Sequence, residues 1–274
     1  MVNRIEEKFE ILKDRIREMN SVLIAFSGGV DSTFLLNVAH DILDGKVLAL
    51  TGVSPTYPDH EFQCAKKLTS EIGVKHLIVS TNELEIPGFY QNTRRRCYYC
   101  KKELFEICKE KAKDFQLDWV AEGTNYDDKG DFRPGIEAAR EMGVRSPLME
   151  SELTKDDIRK LSKRLNLSTW KKPSCACLSS RIPYGTEINN EVLERVGKCE
   201  DFLRGLGFEG LRVRYHNEIA RIEVGSSEFS RFYDEKMRCI IIRRFKEAGF
   251  TYVTLDMEGY RTGSMNEALE NLDE

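Results

Sequence analysis

The sequence predicts an α/β protein, with a doubly wound, mostly parallel sheet over residues 1–183 and a smaller α+β domain over residues 184–274. Three observations carry that expectation. Apolar runs alternate with helix-period segments through the first half. A glycine-rich turn joins the first strand to the following helix. After a break rich in proline and serine, the order becomes helix, two strands, helix, strand.

Taken in order, residues 1–20 place apolar side chains at helical spacing among mixed charges and read as an amphipathic surface helix, not as an export signal. Runs at 22–26, 47–51, 76–80 and 119–122 read as strands, with helices at 33–43, 60–72 and 101–113 between them. Strands that alternate with helices form parallel sheets covered on both faces, and such sheets bind ligands at the carboxyl ends of their strands. The segment 154–165 has a threonine cap, early acids and late bases and reads as a helix. Residues 171–186 read as a loop and the domain boundary. Beyond them come a helix at 190–206, strands at 211–215 and 220–224, a helix at 234–248 and a strand at 251–257.

The first strand runs into Ser27-Gly28-Gly29-Val30-Asp31-Ser32 and then into a helix. That turn aims backbone N–H groups and the positive end of the helix dipole at one point, which makes it an anion site. The glycines permit close approach of the anion, Ser27 and Ser32 add hydroxyl donors, and Asp31 is placed to hold Mg²⁺. No lysine stands in the loop where a Walker motif has one. The pattern resembles the pyrophosphate loop of ATP pyrophosphatases, which cleave ATP between its α and β phosphates. Ala25, Val53 and Gly123 fall at the same strand ends and complete the expected ATP-binding set of Ala25, Ser27, Gly28, Gly29, Asp31, Ser32, Val53 and Gly123.

The 274 residues carry eight cysteines and a formal net charge of −4. No apolar run approaches a membrane span, so a cytoplasmic protein with reduced thiols and no membrane partner is expected. The acidic balance argues against a nucleic-acid partner. Cys175, Cys177 and Cys199 are spaced irregularly, and spacing alone suits equally a site for an iron–sulfur cluster and three small buried side chains. Cys97 and Cys100 form a lone CxxC pair without the second pair that structural zinc needs. Cys64, Cys108 and Cys239 fall within helical or apolar patterns and read as core residues.

SGGVDS, RRRCYYCKKELF from Arg94, EGTNYDD from Glu122, DFRPG from Asp131, KPSCACLSSRIPYGT from Lys172, LRVRYHNEIARIEV from Leu211 and LDMEGYRTGSMN from Leu255 together resemble the LarE family over essentially the whole chain. That resemblance implies an ATP-dependent sulfur transferase that builds the nickel-pincer nucleotide cofactor. A pyridinium dicarboxylate mononucleotide is adenylated at a carboxylate, and sulfur held on the protein attacks the acyl adenylate. Some members surrender the sulfur of one loop cysteine, which becomes dehydroalanine; others hold a 4Fe-4S cluster on three cysteines. The Cys-Ala-Cys segment and Cys199 assign this chain to the cluster type, with Cys175, Cys177 and Cys199 as ligands and with ATP and Mg²⁺ as further cofactors. A homo-oligomer and sulfide or another sulfur donor are the expected partners.

Arg212 and Arg214 share one face of a strand and are expected, with Ser180 and Arg181, to bind the substrate phosphate or carboxylate. Glu200 and Glu223 are expected near that site as candidate acids for a second cation. A tRNA-thiolating pyrophosphatase shares the loop and the cluster but requires a basic or aromatic RNA surface, which this chain offers little of.

Overall fold

A computed structural model describes residues 4–130, 134–173, 176–261 and 264–265. The chain divides into two compact units, Met1–Phe89 with Arg95–Cys175, and Tyr90–Arg94 with Ala176–Glu274.

The first unit contains α1 (Arg4–Arg17), β1 (Val22–Ala25), α2 (Val30–Leu43), β2 (Val47–Val53), α3 (Asp59–Ile72) and β3 (Lys75–Ser80). After the short helix α4 (Pro87–Tyr90), it continues through α5 (Arg96–Asp114), β4 (Trp119–Glu122), α6 (Pro134–Glu141), α7 (Pro147–Glu150) and α8 (Lys155–Arg164). Its four strands are all parallel in the order β3-β2-β1-β4. Alternation along each strand builds the two faces. Val22, Ile24, Val47 and Ala49 join the core formed with α1, α2, α3 and α8. Leu23, Ala25, Leu48 and Leu50 join Phe105 and Cys108 of α5 and Ala138 and Ala139 of α6. The doubly wound sheet expected from the alternation is therefore present. Because β2 lies on one side of β1 and β4 on the other, the strand order reverses at β1, where an open sheet leaves a ligand crevice at its carboxyl edge.

The second unit contains α9 (Asn190–Gly205), β5 (Arg212–His216), β6 (Ile219–Glu223), α10 (Glu235–Glu247) and β7 (Tyr252–Leu255). β5 and β6 form an antiparallel hairpin that turns at Asn217, in the left-handed region at φ 55°, and β7 lies parallel to β6. Leu203, Val213, Ile222, Ile241, Phe245 and Phe250 are buried here.

Two expectations differ from what is found. α5 begins at Arg96, five residues before the helix read from the sequence, so Cys97 and Cys100 lie in its first turns. Of the three cysteines read as core, Cys108 is enclosed, Cys64 is half-buried and Cys239 is exposed. On α10 the buried residues are Ile241 and Phe245; Cys239 lies two positions before Ile241, on the opposite side of the helix. Among the described residues no helix is long and apolar enough to cross a membrane.

Candidate active site

β1 ends at Ala25, hydrogen-bonded on one side to β2 and on the other to β4. Gly28 adopts φ +65°, and a Cβ there would stand 3.1 Å from Ala65 Cβ and 3.2 Å from Ala65 Cα on α3, so both backbone sign and space require glycine. Gly29 caps α2 without a side-chain hydrogen bond, which leaves the first N–H groups of α2 available to a ligand. Ser27 Oγ and Ser32 Oγ are 3.2 Å apart, and Ser32 Oγ donates to Gly29 O at 3.3 Å. A Cβ on Gly123 would come within 2.9 Å of Ser32 N, so the end of β4 presses directly on the first turn of α2. The structure thus brings together Ala25, Ser27, Gly28, Gly29, Asp31, Ser32 and Gly123, and places Val53 at the carboxyl end of β2.

Side chains that the sequence reading did not select surround this loop. Tyr57 donates its hydroxyl to Ser27 O at 2.9 Å. Lys172 donates to Gly28 O at 2.9 Å, to Glu61 Oε2 at 2.6 Å and to Cys64 Sγ at 3.3 Å. Lys155, the first residue of α8, places its ammonium on Asp31 Oδ2. The other carboxylate oxygen of Asp31, Oδ1, is enclosed with no hydrogen-bond partner. Burial raises the Asp31 carboxyl above its usual range, although the Lys155 ammonium pulls the other way. An enclosed acceptor without a donor suits a divalent cation, so Asp31 fits the role of Mg²⁺ ligand.

In the second unit, five of the expected substrate-site residues converge. Arg181 donates to Glu200 through Nε at 2.8 Å and Nη2 at 2.9 Å, and through Nη1 to the carbonyls of Ala176 and Cys177. Glu200 also accepts from Val213 N at 3.0 Å and Arg204 Nη2 at 2.8 Å. Burial alone would raise the Glu200 carboxyl; the Arg181 guanidinium, helped by Arg204 and Val213 N–H, outweighs it and holds the group down at about 2. Arg214 donates to Glu223 Oε2 at 2.7 Å, Ser264 Oγ at 2.9 Å and Ser180 O at 3.0 Å. Arg212 places Nη1 on Leu211 O at 2.7 Å and its guanidinium over the Tyr260 ring. Ser180, Arg181, Glu200, Arg214 and Glu223 therefore bond to one another or to the backbone, and their cations and acids are largely matched within the protein.

Cys175 lies outside the described residues. Cys177, half-buried, heads the turn Leu178–Arg181, and its carbonyl accepts from Ser180 Oγ at 2.8 Å. Cys199 is fully enclosed, and burial pushes its thiol up to about 12. Its charged neighbours include Arg244 of α10 and Arg195, and it shares a helix face with Arg195 and Phe202, beside which Arg244 packs. Leu178, next to Cys177, instead packs at Gly197, nearly half a turn around α9 from Cys199. Cys199 is thus sealed in the core, whereas Cys177 is half-buried at the head of the turn Leu178–Arg181. Among the described residues no group of three or more His, Cys, Asp or Glu is placed to hold a metal ion.

A parallel sheet whose first strand turns through SGGVDS into a helix, with no lysine in the loop, defines an ATP pyrophosphatase of the pyrophosphate-loop class, an enzyme that uses ATP with Mg²⁺. The sequence pattern of NAD synthases matches residues 4–109, and a GMP synthase of Chlamydia caviae is 25% identical over 131 residues, 46% of this chain and 25% of that one. A pyridinium-3,5-bisthiocarboxylic acid mononucleotide synthase of Lactiplantibacillus plantarum is 36% identical over 255 residues, which cover 93% of this chain and 92% of that protein. An uncharacterised protein of Synechocystis is 42% identical over 265 residues, 97% of this chain and 99% of its own. This chain belongs to the LarE family of ATP-dependent sulfur transferases.

Proposed function

We propose that this enzyme uses ATP to adenylate a carboxylate of a pyridinium dicarboxylate mononucleotide and then replaces the activated oxygen with sulfur, as a step toward the nickel-pincer nucleotide. The observation that carries this reading is the anion cradle at the end of β1, read together with similarity along 93% of the chain to a synthase of the bisthiocarboxylic acid mononucleotide. In the first step the substrate carboxylate oxygen attacks the α phosphorus of ATP, and pyrophosphate leaves. The N-terminal amides of α2, with Ser27 and Ser32, receive its negative charge. Asp31 would hold the Mg²⁺ that neutralises the phosphates.

The sulfur comes from the loop of Cys175 and Cys177. A thiolate of one of them attacks the acyl adenylate and expels AMP, which leaves a thioester to the protein. Loss of the cysteine α proton with cleavage of its Cβ–S bond then releases the thiocarboxylate and leaves dehydroalanine. The three hydrogen bonds that Ser180 and Arg181 make to Cys177 O fix the backbone of this loop.

The test is mass spectrometry of the protein after turnover, with iron and acid-labile sulfide measured on anaerobically purified protein. Loss of the elements of hydrogen sulfide from Cys175 or Cys177 in iron-free, active protein supports this route. Unchanged mass with repeated turnover on added sulfide and about four irons per chain would establish instead a 4Fe-4S cluster on Cys175, Cys177 and Cys199, and would require Cys199 to leave its enclosure.

A further inference from the structure

The loop at the end of β1 contains no lysine, so its backbone N–H groups are the main donors that the loop itself offers to an anion. Such a donor is most effective when its peptide plane is fixed before charge develops. Among the described residues none accepts from the N–H of Gly28 or Gly29. The carbonyls of the same stretch are, by contrast, all engaged. Thr51 donates its hydroxyl to Phe26 O at 2.7 Å, Tyr57 donates to Ser27 O at 2.9 Å, and Lys172 donates to Gly28 O at 2.9 Å. Three successive loop carbonyls are thus each held by a side chain from a different part of the first unit.

Each of those side chains is itself held. Because the Thr51 hydroxyl gives its proton to Phe26 O, His76 Nε2 is the donor in its 2.7 Å contact with Thr51 Oγ1. Tyr57 closes a turn in which its N–H donates to Ser54 O at 3.0 Å, and the hydroxyls of Ser54 and Thr56 both donate to the enclosed Glu83 Oε1, at 2.5 and 2.6 Å. Lys172 rests on Glu61 Oε2 at 2.6 Å. In a trans peptide the C=O and the N–H of the next residue point in opposite directions, and the described peptide bonds are trans. Holding the oxygens of Phe26, Ser27 and Gly28 therefore sets the directions of the N–H groups of Ser27, Gly28 and Gly29.

We propose that Thr51, Tyr57 and Lys172 are positioning residues of the reaction, which clamp these three carbonyls so that the amides behind them are oriented toward the β and γ phosphates before pyrophosphate departs. This assignment rests on the pyrophosphate-loop reading. No bond is made or broken at the three side chains. They act by removing the reorganisation that a mobile loop would undergo as negative charge develops on the leaving group.

Thr51→Val and Tyr57→Phe test the assignment, because each deletes one hydroxyl, keeps the bulk of the side chain and leaves the charge of the site unchanged. In calorimetric titrations of the full chain with inorganic pyrophosphate and Mg²⁺, each should weaken binding about three- to tenfold and the double variant should compound the two losses, while AMP binds as to wild type. Thr51→Ser, which keeps the hydroxyl, should restore most of the affinity. Unchanged pyrophosphate affinity in either folded variant, or an equal loss for AMP, overturns the positioning role whatever happens to the melting temperature. If Thr51→Val does not fold, Tyr57→Phe alone decides. Failure of wild type to bind either pyrophosphate or ATP would instead overturn the loop reading itself.

Discussion

Arg181–Glu200 in one unit and Lys155–Asp31 in the other are both cation–carboxylate contacts beside a loop with chemical potential, and they are built in opposite ways. The side chains of Arg181 and Glu200 are 1% and 0% exposed, and both Glu200 oxygens accept hydrogen bonds. Those of Lys155 and Asp31 are 30% and 20% exposed, and one Asp31 oxygen accepts nothing. A sealed, fully bonded pair has no capacity left for a ligand and sets the shape of its surroundings. A pair that is open and short of partners keeps donors and acceptors in reserve. The same contrast separates Cys199, enclosed in the core, from half-buried Cys177.

Removing one partner from each pair gives the widest separation between them. Glu200→Ala should lower the unfolding free energy by about 3–5 kcal/mol, because it strands a buried guanidinium. Asp31→Asn should change it by no more than about 1 kcal/mol while abolishing pyrophosphate release. Denaturant titration and a pyrophosphate release assay on the same two proteins check both halves.

Acid should reveal what the sealed pair contributes to stability. Glu200 sits at about 2 when folded against a reference of 4.5, so its stabilisation is complete above the unfolded value and is lost as pH falls from about 4.5 toward about 2. The loss amounts to roughly 3 kcal/mol. Melting curves across that window should show it in wild type, and it should vanish in Glu200→Gln.

Much of the first unit was legible because its signals are local. The run Val22-Leu23-Ile24-Ala25 alternates between two cores, and the loop chemistry occupies six consecutive residues. The cations around that loop were not legible. Lys155 is 124 positions from Asp31 and Lys172 is 144 from Gly28, and a lysine at the head of a capped helix reads as a solvated charge until the fold pairs it. Within the candidate substrate site, the two-residue spacing of Arg212 and Arg214 gave their common strand face. It did not give the burial of Arg214, which depends on Glu223, Ser180 and Ser264 gathering around it.

The two arginines set a smaller effect. Arg212→Ala should weaken binding of the mononucleotide substrate about tenfold, as expected for one lost charge-assisted contact, and leave ATP binding unchanged. Arg214→Ala should also lower the melting temperature. Titration with each ligand, together with thermal unfolding, distinguishes the two arginines; an equal loss for both ligands would count against a substrate role. The smallest effect belongs to Cys199→Ala, which should cost about 1 kcal/mol of stability and leave sulfur transfer intact. Loss of transfer in that variant would assign Cys199 a chemical role.

The most direct measurement of the whole account is a single-turnover reaction of the purified protein with ATP, Mg²⁺ and the pyridinium dicarboxylate mononucleotide, followed by mass spectrometry of both product and polypeptide. The account predicts AMP and pyrophosphate in equal amounts, a nucleotide that has exchanged a carboxylate oxygen for sulfur, and a chain lighter by hydrogen sulfide at Cys175 or Cys177. Pyrophosphate release without sulfur in the product would contradict sulfur transfer, and no substrate-dependent pyrophosphate at all would contradict adenylation.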